Sequence, residues 1–219
     1  MHPILRTILN LKSQQPPLDP AKYGDPLALK TEWTPATRGG SSFRTHRLVQ
    51  DDFTRVEFKA STGAKIFYLL FAFIGTAVAA GISLFSEAES SLSPEFLVPL
   101  AMGIVFMAVG MGMFIYGTAP IVFDKGNGYF WKGRKSPQDV IEISSLKKCI
   151  QLDQIHAIQL VSEYIHTSKS SFYSYELNLV LEDARRMTVV DHGNLKRLRE
   201  DAGKLSEFLG KPIWDGIGS

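Results

Sequence analysis

Residues with the chemistry to catalyse, ligate or activate are few in this chain and poorly spaced for the work. His156, His166, His192 and the single cysteine, Cys149, lack the close pair spacings of structural zinc sites. His156 falls in an alternating apolar run and reads as a partly buried or surface histidine. Asp191 and His192 are adjacent, and a carboxylate can orient an imidazole for proton transfer. Neighbouring strand residues point to opposite faces, however, and no G-x-S-x-G nucleophile motif accompanies them. A turn that caps a following helix is the better reading. Asp124-Lys-Gly-Asn-Gly128 holds residue types found in phosphate and calcium loops, but lacks the P-loop Lys-Ser/Thr pair and the carboxylates of an EF-hand. It reads as a hairpin turn. Cys149 follows Lys147 and Lys148, cations that would lower a thiol pKa, although a structural cysteine is the plainer reading. No catalytic, cofactor-binding or metal-ligating set is therefore expected, and no enzyme.

What remains is recognition. Tyr164, Phe172 and Tyr173, with Tyr175, flank the polar loop His166–Ser171. If exposed, they would suit protein contacts, because tyrosine offers a large area with a hydrogen-bonding tip. Turned inward, the tyrosines would be the core of a sheet. Phe130 and Trp131 either join that core or anchor at a lipid headgroup layer. Lys132, Arg134 and Lys135 form a short basic run close by. Over the whole chain 24 Lys and Arg stand against 22 Asp and Glu, a net charge of +2. Nucleic-acid binding would call for a strongly basic domain or face, so no such partner is expected.

The elements that must carry these residues divide into three parts. Residues 66–86 and 96–123 contain no Asp, Glu, Lys or Arg. A helix needs about 20 apolar residues to cross roughly 30 Å of hydrocarbon. Residues 65–118 are therefore expected to form a transmembrane hairpin, with spans at about 66–86 and 96–118. A secretory signal is excluded, because the first span begins far into the chain and a second follows. The linker Glu87–Glu95 is acidic, while Arg55, Lys59 and Lys65 precede the first span and Lys125, Lys132, Arg134 and Lys135 follow the second. Positive flanks stay in the cytoplasm, so both termini are expected there. Pro99 is expected in the first turn of the second helix, where its missing N–H is harmless.

So short a linker makes the helices antiparallel neighbours. Gly75 and Ala79 in the first, and Gly103, Ala108, Gly110 and Gly112 in the second, are the expected helix–helix packing positions, since small residues let backbones approach in lipid. No charge interrupts either span, which argues against an ion path or proton relay within one hairpin. The spans read as an anchor. A homo-oligomeric pore or transport accessory, built from the glycine-rich faces, is the alternative.

Residues 1–64 read as a cytoplasmic N-terminal segment. Ile4, Leu5, Ile8 and Leu9 share one face of a short amphipathic helix or of a frayed terminus. Residues 13–48 are rich in Pro, Gly, Ser and Thr and read as linker, and residues 54–61 as a short strand. Residues 119–219 carry strand signals throughout: a hairpin about the 124–128 turn, a strand over 155–165, then a second hairpin over 173–190. Leu195, Leu198, Ala202, Leu205 and Leu209 follow at helical spacing, ended by Gly210 and Pro212. The fold class is α+β, and about 100 residues suffice for an independent core.

The IVFDKGNGYFWKG hairpin, the LDQIHAIQLVSEYI strand, the YELNLVLEDARRMTVV hairpin and the helix NLKRLREDAGKLSEFLG together resemble a pleckstrin-homology-like (PH-like) domain over roughly residues 119–215. With the VVDHGN segment and the LGKPIWD tail, the chain resembles a family of two-span proteobacterial inner-membrane proteins. The resemblance implies a fold and a location, the bacterial inner membrane, and transfers no catalytic residue. In eukaryotic PH domains a basic β1–β2 loop holds phosphoinositides; here the corresponding loop carries only Lys125. The expected function is a non-enzymatic, membrane-anchored interaction or assembly module that displays its PH-like domain at the cytoplasmic face. Its expected partners are the lipid bilayer and another protein, with a second copy of the chain as the alternative, and no cofactor.

Overall fold

The computed structural model describes residues 18–85, 93–142, 146, 148–168 and 170–218. The amphipathic segment over 4–9 and most of the acidic linker lie outside these residues. The chain is α+β: two long apolar helices are followed by antiparallel strands and a C-terminal helix. After a short helix α1 (Pro26–Lys30), β1 (His46–Gln50) and β2 (Arg55–Ala60) form a hairpin. Its turn is closed by the Asp52 carboxylate, which accepts from the Thr54 N–H at 2.6 Å and hydroxyl at 2.8 Å. The apolar helices are α2 (Thr62–Phe85) and α3 (Pro94–Gly117). β3 (Ile121–Asp124), β4 (Tyr129–Lys132) and β5 (Cys149–Gln151) complete a five-stranded sheet in the order β1-β2-β3-β4-β5.

The register decides how the parts are joined. β2 and β3 are antiparallel neighbours, with Phe58 opposite Ile121 and Val56 opposite Phe123. The apolar hairpin is thus inserted at the turn between two paired strands. The division between residues 1–64 and residues 119–219 is corrected here: β1 and β2 belong to the same sheet as β3 to β5. Alternation accounts for it, since Val56 and Phe58 are 2% and 0% exposed on the face shared with Ile121 and Phe123.

A second sheet follows, made of β6 (Ile155–His166), β7 (Ser171–Leu181), β8 (Arg186–His192) and β9 (Ile213–Asp215), in the order β8-β7-β6-β9. Only β9 runs parallel to its neighbour. The inner faces of the two sheets and α4 (Leu195–Leu209) share one core, in which Phe58, Phe123, Phe130, Ile158, Leu160, Leu177, Leu179, Leu198 and Leu205 are buried. Each such side chain contributes about 1.5–3 kcal/mol relative to exposure. The helix begins where the Asn194 side chain accepts from the Arg197 N–H at 3.0 Å, and ends at Gly210, whose φ of 68° suits glycine. Phe130 and Trp131 are buried in the domain and do not reach the apolar hairpin's surroundings.

The hairpin's helices meet along a repeat of small residues. A Cβ added at Gly75 would collide with the Met107 backbone, one at Gly103 would lie 2.7 Å from Ala79 N, and one at Gly110 would strike Ala72. Gly117 faces the Tyr68 ring. Positions 68, 72, 75 and 79 of α2 therefore oppose 103, 110 and 117 of α3, the heptad-like spacing of antiparallel helices. Ala108 is exposed, and nothing lies within 4 Å of a Cβ added at Gly112. Their i, i+4 spacing places them together on the opposite face of α3. α3 starts earlier than the composition indicates, so Pro99 lies beyond the first turn and inside the helix.

Candidate functional site

Residues 18–44, expected as linker, instead run across the outer face of the second sheet. That face is polar and would read as solvent-facing: Ser174, Glu176 and Asn178 alternate with the core residues Tyr175, Leu177 and Leu179. The strap buries it. The Glu176 carboxylate, 1% exposed, accepts from the Ala36 and Thr37 N–H groups at 2.8 and 2.9 Å and from the Asn178 amide at 3.1 Å. Glu163 accepts from Gly39 and Gly40, and Asp191 from the Ser41 N–H at 2.8 Å. Gly40 passes so close to Ser174 that no side chain would fit. At the strap's start Tyr23 stacks on Trp33 with centroids 5.2 Å apart, and both lean on Trp214. His156 bridges Asp25 at 2.6 Å and Glu182 at 3.2 Å; these bonds raise its pKa and lower that of Asp25.

Three carboxylates thus hold a peptide by its backbone, and a buried charge persists only when its partners are present. Glu176→Ala is expected to cost about 3 kcal/mol of strap closure, the loss of charge-assisted hydrogen bonds. Trypsin cleavage after the exposed Arg38 would then accelerate about a hundredfold, because cleavage tracks the open population. An unchanged cleavage rate would refute this role.

A cavity of about 420 Å³ opens where the foot of the apolar hairpin meets both sheets. Its wall includes His46, Tyr116, Ala119, Lys132, Lys148 and Asp191. Lys132 ends β4, and its backbone N–H donates to the carbonyl of Lys148, the residue before β5, at 3.0 Å, so two lysines stand side by side. The Lys132 ammonium donates to the Val189 carbonyl at 2.8 Å. Burial, with the Lys148 charge beside it, lowers its pKa to about 8. His46 has both ring nitrogens engaged, by the Thr45 hydroxyl at 3.0 Å and the Ala119 carbonyl at 3.2 Å, and burial lowers its pKa.

The residues singled out in the sequence are scattered. Arg134 caps the end of α3, donating to the Ile115 carbonyl at 3.1 Å and the Thr118 hydroxyl at 2.7 Å, where a cation complements the helix dipole. Lys135 is exposed. Tyr164 opposes Tyr173 across β6 and β7 with ring centroids 5.0 Å apart, and Tyr175 stacks next to Tyr173. These rings continue the inner face of the sheet along an arm that extends past β8, whose last pair is Tyr175 with His192. Tyr164, Phe172 and Tyr173 are half-buried there.

Asp191 and His192 point to opposite faces. Asp191 holds the strap, while His192 is 1% exposed and accepts from the Asn194 N–H at 3.2 Å. Burial, reinforced by Arg44, drives its pKa to about 4. The Asp124 carboxylate organises its own turn by accepting from the Asn127 backbone at 2.9 Å. Burial raises the Cys149 thiol pKa, opposite to the lowering that two lysines would produce. Among the described residues, no group of His, Cys, Asp and Glu is arranged to hold a metal ion.

Lys148, His46, Glu163 and Glu176 had no motif to mark them. The one available signal was aromatic: Tyr23 and Trp33 are costly residues to leave in a Pro-rich solvated linker. Comparison with family models, curated proteins and solved structures finds no match.

Proposed function

We propose that this protein is a non-enzymatic, membrane-anchored interaction or assembly module, in which a two-span hairpin holds a PH-like domain at the cytoplasmic face of a bacterial inner membrane. The observation that carries this reading is the outward apolar surface of the hairpin. Ile66, Leu70, Phe73, Leu84, Val98, Met102, Val105 and Ile115 are exposed along helices long enough to cross a bilayer, and Phe73 is 70% exposed. A core helix of a water-soluble protein would bury such residues, and an apolar band of this extent calls for lipid. Two sheets around one core, antiparallel except for β9 and packed with a C-terminal helix, support the PH-like reading. Because the hairpin leaves and re-enters the sheet through paired strands, membrane tethering would also fix the domain's orientation and raise its local concentration for a partner.

The surface offered is the tyrosine arm, half-exposed at Tyr164, Phe172 and Tyr173. A photo-crosslinking residue at Phe172 in the full chain, in native membranes, is expected to capture one discrete protein, while the same probe at Arg197 on the outer side of α4 captures none. Adducts between copies of the chain alone would overturn the module and favour the homo-oligomeric pore or transport accessory, for which Ala108 and Gly112 remain as outward small residues.

A further inference from the structure

We propose that the cavity at the foot of the hairpin binds a phosphate group, held between the ammonium groups of Lys132 and Lys148. Like charges held side by side repel, and here Lys132 at the end of β4 is hydrogen-bonded through its backbone to Lys148, the residue before β5, with no carboxylate within ion-pair distance of either among the described residues. Their donors are in surplus. An ammonium has three N–H groups; Lys132 commits one to Val189, and no hydrogen bond or ion pair from the Lys148 side chain occurs among the described residues. Two of the wall's other groups are already engaged, and the Asp191 charge offsets only part of the repulsion at Lys132. His46 is bonded through both nitrogens, and one oxygen of Asp191, the cavity's carboxylate, is taken by the Ser41 N–H. A cavity of about 420 Å³ admits a phosphate with a small substituent. An anion there would relieve the repulsion and gain charge-assisted hydrogen bonds of the strong class.

The position also points to a source. Ala119 and Tyr116 form part of the wall, and Tyr116 is 83% exposed at the end of α3. If the hairpin crosses a bilayer, as proposed above, this is the depth of phospholipid headgroups, where tyrosine is favoured. The lipid source rests on that reading; the phosphate chemistry does not.

The test is thermal unfolding of the full chain in a neutral detergent, which reads the cavity whether or not the hairpin inserts in a bilayer. Dioctanoyl phosphatidylglycerol, dioctanoylglycerol and inorganic phosphate are titrated separately, since a ligand of the native state raises the melting temperature by mass action. Stabilisation by phosphatidylglycerol without inorganic phosphate assigns a lipid headgroup, and stabilisation by both assigns a phosphorylated solute. Lys148→Gln, which removes no hydrogen bond or ion pair among the described residues and relieves the repulsion on Lys132, is expected to weaken binding about tenfold while the unliganded melting temperature stays the same or rises. Lys132→Gln is expected to weaken it at least as much. Equal stabilisation by dioctanoylglycerol, no stabilisation by either phosphate compound, or binding indifferent to Lys148→Gln would each overturn the proposal.

Discussion

Residues 119–219 alone are expected not to fold, whereas a chain running from 18 to 60, through a turn of about four Gly and Asn residues, and on from 119 is expected to fold without the apolar hairpin. In the fragment β3 loses its partner β2, and with it the main-chain ladder from Arg55 to Phe58. Val56 and Phe58, both buried in the shared core, go with it. So does the strap, which leaves Glu176 and Asn178 without the cover that buries them. Two core side chains at about 1.5–3 kcal/mol each, a lost edge and an uncovered polar face together approach the 5–15 kcal/mol that a whole domain typically has. The linked chain keeps all of this. Ala60 and Ala119 flank a site where a short hairpin turn suits antiparallel neighbours, and asparagine and glycine accept the required backbone angles. Amide dispersion in an NMR spectrum, or near-ultraviolet circular dichroism, would decide between the two. A well-dispersed spectrum from 119–219 alone would sink the interpretation that the hairpin interrupts one sheet.

The second large effect is expected inside the hairpin. Gly75→Leu and Gly110→Leu each insert a branched side chain where backbone already meets backbone, at Met107 and Ala72. The helices must separate, at a cost of about 1–3 kcal/mol or more for each substitution, because tight interfaces do not absorb added volume. Gly112→Leu, facing open space, is expected to be nearly neutral. Crosslinking by a short bifunctional thiol reagent between cysteines introduced at Phe71 and Phe106, whose rings stack across the two helices with centroids 6.3 Å apart, reports the crossing in a Cys149→Ser background: efficient in the parent chain and with Gly112→Leu, and sharply reduced with either of the others. The contrast also bears on the homo-oligomeric alternative. Gly75, Gly103 and Gly110 are occupied within one hairpin, so an effect of Gly110→Leu on self-association would not by itself indicate contact between copies. Only the outward face at Ala108 and Gly112 could report that.

Much of the local structure was legible in the residues. The two apolar runs, the turn at 124–128, the alternation of 173–181 and the 3.6-residue spacing from Leu195 to Leu209 each specify an element whose pattern is contained in a few consecutive residues. Likewise, the opposite directions of Asp191 and His192 follow from the two-residue repeat of a strand. What the residues could not express is which elements meet. Nothing in TRVEFKAS names β3 as its partner across the hairpin. The polar phase of β7 looks solvated, and only the arrival of the strap turns Glu176 into a buried anchor. The lysine pair is divided between the end of β4 and the residue before β5, so its repulsion exists only once those strands lie side by side. Periodicity is local and survives in the sequence. Burial of a polar face, a shared core and a cluster of like charges are sums over residues far apart in the chain, and for this protein only the tertiary structure decided them.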